Sequence, residues 1–200
     1  MRNLIKTQTT PLYLDKNYWE NRVNTRLDLG YKPTTNDFKI EIKCRTVLWS
    51  FYLCQSRASI TGSIFWIWWA SWWAKINMTW NGIVTSFPDI DRWTEKIVVI
   101  TTERLNWTCT WHIDDLTNDL EYDVTGTYTW SAPTANFCIR WNKWWNYMTS
   151  WCRIWYIRMW EWWQPVRDMK PVLRIDWTPW FLDVINNEFY TVEAGEMFVE

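Results

Sequence analysis

The sequence has little glycine, 5 of 200 residues, whereas tryptophan occurs 22 times. An average domain carries about 7% glycine, or about 14 residues at this length. Tryptophan also stands where turns need glycine: Asn106-Trp107 and Asp176-Trp177 lie between strand-like runs, where Asn-Gly and Asp-Gly are the usual hairpin signals. We hypothesise that many of these tryptophans were glycine in the ancestral fold, or are glycine in the natural product through a codon read here as Trp. The alternatives are a genuinely Trp-rich sequence and a designed one.

Metal-binding patterns are also missing, because the chain has no Cys-x-x-Cys pair and one histidine, His112. A zinc site therefore has few ligands to draw on. Most of the cysteines alternate with polar residues, which predicts small buried hydrophobic side chains, with one disulfide left as an open alternative. The five are Cys44, Cys54, Cys109, Cys138 and Cys152.

An excess of one charge and a long apolar run are both absent. The net charge is −1, which disfavours a nucleic-acid partner that depends on a basic face. The first residues contain no apolar stretch, so we expect no signal peptide. The longest apolar run, residues 64–76, is interrupted by Ser71 and Lys75 and falls short of the ~18 residues of a membrane span. A membrane partner is therefore not expected.

A two-residue period is the dominant pattern, and it is clearest in residues 37–45, where apolar and charged side chains alternate without interruption. Such alternation is typical of a half-buried antiparallel strand. Residues 96–105 and 108–113 predict a hairpin around Asn106-Trp107. Further strands are predicted at residues 51–54, 64–68, 74–79, 136–140, 153–160, 181–184 and 188–191. No long segment has a helical period, so the sequence predicts an all-β sandwich or barrel, with residues 1–17 as an N-terminal arm and residues 18–200 as the domain.

Three segments in this order carry a family resemblance: residues 24–34, 152–172 and 176–198. They resemble the opening and the C-terminal part of LamG-like, concanavalin A-like lectin/glucanase domains. The resemblance implies a jelly-roll sandwich of two antiparallel sheets, a fold that hosts both lectins and glucanases. It also implies the setting in which such domains recur, phage particles and bacterial surfaces. The family pattern has glycine at four tryptophan positions: Trp151, Trp163, Trp177 and Trp180.

The sequence gives little evidence for a catalytic site. A glucanase needs two carboxylates across the scissile bond, and Asp119, Glu121 and Asp123 have a suitable period-two spacing. The family's catalytic strand, however, has Glu at both outer positions, and this segment reads as a solvent-facing acidic connection. Glu41 has Lys39 and Lys43 as its neighbours on the same face. No nucleophile motif surrounds His112, which we interpret as an exposed histidine in a strand. From the carboxylates and this histidine together, we expect no enzyme activity.

Carbohydrate binding is predicted where an aromatic ring adjoins groups that can bond sugar hydroxyls. Trp80 with Asn81, and Arg140 with Trp141 and Asn142, combine these features near predicted strand ends. No cofactor is expected. The alternative is Ca²⁺, since Asp89, Asp91, Asp114 and Asp115 offer oxygen ligands, although without EF-hand spacing.

The function predicted from these observations is a non-catalytic carbohydrate-binding or adhesion module. Its expected setting is a virion, as a tail, fibre or decoration component, or a cell surface. The expected partners are a glycan or surface polysaccharide and other virion subunits. The alternative is a purely structural virion or scaffold subunit that binds protein and no sugar.

Overall fold

A computed structural model describes residues 13–21, 26–32, 34–35, 37–47, 52–56, 65–69, 76–80, 83–87, 94–105, 108–127, 136–140, 152–192 and 197–200. Within these ranges no helix is long and apolar enough to cross a membrane. The strands are β1 (Tyr13–Asp15), β2 (Trp19–Asn21), β3 (Arg26–Asp28), β4 (Phe38–Val47), β5 (Tyr52–Ser56), β6 (Phe65–Trp69), β7 (Ile76–Trp80), β8 (Ile83–Phe87), β9 (Glu95–Leu105), β10 (Thr108–Asp115), β11 (Leu120–Thr127), β12 (Phe137–Arg140), β13 (Cys152–Glu161), β14 (Gln164–Arg174), β15 (Pro179–Asp183), β16 (Glu188–Tyr190) and β17 (Met197–Val199).

These strands form two antiparallel sheets. The large sheet has the order β11-β10-β9-β4-β13-β14-β15-β16, and β1 pairs with β14 while β2 pairs with β13 and β17. The small sheet has the order β3-β12-β5-β6-β7-β8. The prediction of an all-β, two-sheet antiparallel fold is confirmed.

The core lies between the sheets because each long strand buries alternate residues. In β4, Ile40 and Ile42 are buried while the residues between them are half-exposed. Since successive strand side chains point to opposite faces, one face of the large sheet is apolar and the other polar. Phe38 of the large sheet meets Phe137 of the small sheet with ring centroids 5.5 Å apart. The largest buried side chains include Trp19 and Trp111.

Most sequence-predicted strands are confirmed, including the β9–β10 hairpin, in which Leu105 pairs with Thr108. One interpretation was wrong: the acidic segment at residues 119–123 is not a connection throughout, since β11 begins at Leu120. The strand forms because Tyr122 and Val124 alternate with the acids and pack against the core. The strand β14 was not predicted. In the expected N-terminal arm, residues 13–15 form β1, and residues 1–12 lie outside the described ranges.

Three cysteines behave as small apolar side chains. Cys44, Cys109 and Cys152 are buried, with their sulfur atoms in the thiol form. Burial raises the pKa of Cys109 to about 12, and burial together with the neighbouring Cys44 thiol raises the pKa of Cys152. Because the thiolate is the reactive form, the raised pKa values lower the reactivity of Cys109 and Cys152 at neutral pH. The side chains of Cys54 and Cys138 lie outside the description.

The three resemblance segments converge at one polar cluster. Arg167 donates to the Gly30 carbonyl at 2.8 Å and to the Leu29 carbonyl at 3.4 Å. Its Nε atom lies 3.4 Å from the fully buried Asp183 carboxylate. Gly30 has φ +59, and a Cβ atom there would lie 2.5 Å from Cε1 of Tyr190. The three segments, although distant in sequence, are therefore in contact: the turn at Gly30 is bonded to Arg167 of β14 and packs against Tyr190 of β16, and Arg167 in turn contacts Asp183 of β15.

Replacement of Gly30 by Ala is expected to destabilise the domain by at least about 2 kcal/mol. The left-handed backbone costs about 1–2 kcal/mol for a residue with a Cβ atom, and overpacking against the Tyr190 ring adds about 1–3 kcal/mol. Urea unfolding of the two proteins measures the difference. The double variant Gly30→Ala/Tyr190→Leu should recover the packing part, whereas equal losses in both variants would show that only the backbone matters.

Candidate functional site

The candidate site is a band of six side chains on the polar, outer face of the large sheet, which we call the outer strip: Lys39, Glu41 and Lys43 from β4, and Tyr156, Arg158 and Trp160 from β13. The register joins them in three rows, Lys39 with Trp160, Glu41 with Arg158, and Lys43 with Tyr156. The alternation of β4 turns its charges away from the core. A register shift between Ile154 and Tyr156 changes the alternation of β13, so that the Tyr156 side chain lies on the outer face beside this band.

Arg158 is the central charge of the outer strip. Its Nη1 atom lies 3.6 Å from the Glu41 carboxylate, and its Nε atom donates to Asp168 at 3.2 Å. Lys39 lies 3.7 Å from the other Glu41 oxygen. The Arg158 side chain is 42% exposed, so a ligand can approach it from solvent. The strip therefore offers both cationic donors and a carboxylate acceptor to a ligand.

Aromatic rings lie beneath these cations. The Arg158 guanidinium lies 4.3 Å from the Tyr156 ring centroid, and the Lys39 ammonium lies 4.9 Å from a Trp160 ring centroid. Burial, followed by the charge of the Glu41 carboxylate, raises the pKa of Tyr156 to about 12. Its hydroxyl is therefore neutral at physiological pH and can donate a hydrogen bond. Both rings are half-buried.

The acidic candidates lie towards the edge of the same face. Glu121 and Asp123 are exposed on β11, and Asp119 precedes the strand in a turn with φ 56. Asp123 lies 2.9 Å from Nδ1 of His112, which is one-third exposed. This agrees with the interpretation of a solvated acidic face and of an exposed strand histidine.

The aspartates considered for Ca²⁺ do not converge. Asp114 is half-exposed on the outer face, whereas Asp115 is fully buried and lies 3.1 Å from the Lys96 ammonium. Consecutive strand residues point to opposite faces, which separates the two carboxylates. Asp89 and Asp91 lie outside the description. In the part of the chain that is described, no three His, Cys, Asp or Glu residues form a metal-binding group.

The carbohydrate-binding residues predicted from the sequence fall largely outside the described side chains. The structure gives the backbone of Trp80 and Arg140, and Asn81, Trp141 and Asn142 lie outside it. Trp80 ends β7 and Arg140 ends β12, with β5 and β6 between them. These strands run in opposite directions, so the two residues lie at opposite ends of the small sheet, about 14 Å apart across the strands. The register does not join the two predicted groups into one site.

The outer strip was missed because its aromatic residues were read only as part of a predicted strand. The available signal was the alternation of Tyr156, Arg158 and Trp160 in β13, opposite the charged residues of β4. Sequence alone does not pair β4 with β13, since more than 100 residues separate them.

Two stacked antiparallel sheets with this strand order define a concanavalin A-like jelly-roll sandwich. The crystal structure of the LG1-3 region of the laminin alpha2 chain is similar, with a TM-score of 0.51 and 10% sequence identity. The similarity covers 94% of this chain and 34% of the laminin chain. The sequence matches no family model and no curated protein. At this identity the likeness establishes the fold alone.

Proposed function

We propose that the domain is a non-catalytic carbohydrate-binding module whose contact surface is the outer strip. The observation that carries the proposal is the set of half-buried aromatic rings, Tyr156 and Trp160, with the Arg158 and Lys39 cations over them. A pyranose ring that stacks on these rings displaces the two cations from the ring faces, and the cations then bond its hydroxyls. The LG-like sandwich is consistent with a binding or adhesion module.

The ion pairs of the strip favour binding over catalysis. A glycosidase needs one carboxylic acid that holds its proton and a second carboxylate across the bond. Arg158 of β13 lies between β4 and β14 in the sheet and forms ion pairs with both Glu41 and Asp168. The cation therefore separates the two carboxylates, and Glu41 of the strip can accept hydrogen bonds from sugar hydroxyls.

Loss of glycan binding on substitution of the strip is the test. A glycan array first selects a ligand for the unmodified protein. Tyr156→Ala and Arg158→Ala are each expected to weaken binding of that glycan at least tenfold by titration calorimetry, a loss of about 1.4 kcal/mol. Arg174→Ala is the matched control, because Arg174 also stacks on a ring, that of Trp180 at 5.0 Å, outside the strip. The proposal is contradicted if the affinity for the glycan falls in the Arg174→Ala variant and not in the two strip variants.

The proposed setting is a virion, as a tail, fibre or decoration component, or a cell surface. This part of the proposal rests on the sequence resemblance to domains of phage particles and bacterial surfaces. The second candidate is a structural virion or scaffold subunit with protein partners only. It predicts concentration-dependent assembly and no glycan response on the array, an outcome that analytical ultracentrifugation distinguishes from glycan binding.

A further inference from the structure

Three tryptophans have a left-handed backbone conformation. Five described residues other than glycine have a left-handed backbone: Asp119, Trp162, Trp163, Trp177 and Asn187. Asn and Asp enter this region readily because their short polar side chains bond locally, whereas a bulky residue there is an outlier. All three tryptophans are also more than half exposed. Their rings therefore supply no core packing that would offset the backbone strain.

The hairpin between β13 and β14 requires two left-handed residues in succession. Glu161 pairs with Gln164, so Trp162 and Trp163 form a two-residue loop with φ 48 and 64. A loop of this length with both φ values positive is a type I′ turn, which selects Asn-Gly or Gly-Gly. The sequence Trp-Trp is foreign to that turn.

The hairpin between β14 and β15 requires one left-handed residue. The Trp177 N–H donates to the Arg174 carbonyl at 2.9 Å, and the Arg174 N–H donates to the Thr178 carbonyl at 3.0 Å. A turn followed by a residue with φ 62 matches the bulge in which glycine is the rule. Asp176 accepts from the Thr178 N–H at 3.0 Å, which completes the local pattern of an Asp-Gly turn.

Other tryptophans have the opposite environment. Trp19 and Trp111 lie in strands and are 0% and 1% exposed, without a left-handed backbone. Glycine at either position would leave a cavity the size of an indole in the core. Trp180 stands at a family glycine position, but it lies in β15 without a positive φ and meets the Phe189 ring at 6.2 Å. The backbone therefore does not require glycine there.

We propose that the natural protein has glycine at positions 162, 163 and 177 and tryptophan at positions 19 and 111. If one codon was reassigned, the tryptophans of this sequence fall into two classes. Those with a left-handed backbone and an exposed ring are glycine, and those buried in regular strands are tryptophan. Glycine at the three turn positions restores the residue that each hairpin geometry selects. Tryptophan at the two core positions retains the side chains that fill the sandwich.

Peptide mass spectrometry of the protein from its natural source is the decisive experiment. Each Gly in place of Trp lowers a peptide mass by about 129 Da, a covalent difference independent of folding. In a tryptic digest, residues 159–167 contain positions 162 and 163, the peptide that begins at residue 175 contains position 177, residues 17–22 contain position 19, and residues 105–140 contain position 111. Fragmentation should read Gly at 162, 163 and 177 and Trp at 19 and 111. Trp at any of the three turn positions, or Gly at either core position, overturns the proposal.

A second measurement uses the printed sequence itself. Trp163→Gly and Trp177→Gly should each lower the equilibrium constant for unfolding by about tenfold, because the left-handed strain is removed. Trp111→Gly is the matched control and should raise that constant at least a hundredfold, because a cavity opens in the core. Turn variants that destabilise the protein would contradict the assignment of these turns to glycine.

Discussion

Replacement of Asp115 by Asn is expected to destabilise the domain by about 3–5 kcal/mol, the usual cost of leaving a buried partner charge uncompensated. Lys96 and Asp115 lie 3.1 Å apart, with 5% and 1% of their side chains exposed. The amide retains an oxygen for the Thr117 and Asn118 N–H groups, which now donate to Asp115 at 3.0 and 3.2 Å. The loss therefore reports the Lys96 ammonium and the Asn118 side-chain amide, both of which now contact the other carboxylate oxygen, at 3.1 and 2.8 Å.

The same variant predicts a pH dependence. Burial raises the pKa of Asp115, but the Asn118 amide, the Lys96 ammonium and the Thr117 N–H outweigh it and lower the pKa below 3.8. A lowered folded-state pKa means that the carboxylate stabilises the fold above its unfolded-state value and loses this contribution as pH falls through the folded-state value. The stability difference between the two proteins should therefore shrink below about pH 4.

Urea unfolding at pH 7 and pH 3 measures both effects. The neighbouring Asp114→Asn change on the outer face is the matched control, with an expected effect within about 0.5 kcal/mol. The double variant Lys96→Met/Asp115→Asn should recover part of the loss, since no unpaired charge remains. A loss below about 1 kcal/mol for Asp115→Asn would show that Lys96 finds water or another partner.

Replacement of Asp183 by Ala is expected to cost at least about 3 kcal/mol. The buried carboxylate accepts from the Asp168 and Ile185 N–H groups, both at 3.1 Å, and from the Asn186 amide at 2.6 Å, and it faces Arg167 at 3.4 Å. Each buried donor left without an acceptor costs about 1–3 kcal/mol, and more when it is charged. The first turn should also loosen, because Arg167 bonds the Gly30 carbonyl.

Chemical denaturation and amide hydrogen exchange test this expectation. Glu188→Ala removes an exposed carboxylate that accepts the Tyr190 hydroxyl at 2.6 Å, and it should leave stability almost unchanged. Asp183→Ala should in addition speed exchange of the Asp168 and Ile185 amides. Unchanged exchange at those amides would mean that other acceptors replace the carboxylate.

Local pattern predicted the regular strands because one buried face imposes the two-residue period. The segment that forms β4 shows the period without a fault, and it was identified with nearly its observed limits. The strand β14 was missed because Pro165 and Pro171 argue against a strand. Pro165 pairs with Trp160 next to a register shift, where a proline is tolerated, and Pro171 lies beyond Met169, where the pairing with β13 ends.

The outer strip depends on information that local pattern does not contain. The alternation of β13 shows that Arg158 and Trp160 share a face, but not which strand lies beside them. The neighbour is set by long-range pairing, which brings Glu41 opposite Arg158. The turn tryptophans are the converse case. Trp177 was recognised from the local Asp-Trp sequence and Trp163 from the family resemblance, and the backbone at both positions is left-handed.

The position of β4 between β9 and β13 has a kinetic consequence. The centre of the large sheet joins residues near 40 to residues near 100 and near 157, so its hydrogen bonds close long loops before any apolar surface is buried. Non-local pairing of this kind raises the contact order and slows folding to milliseconds or seconds. During synthesis, the β13 side of β4 stays unpaired until residues beyond 150 have left the ribosome, and it exposes a strand edge to other chains in the meantime.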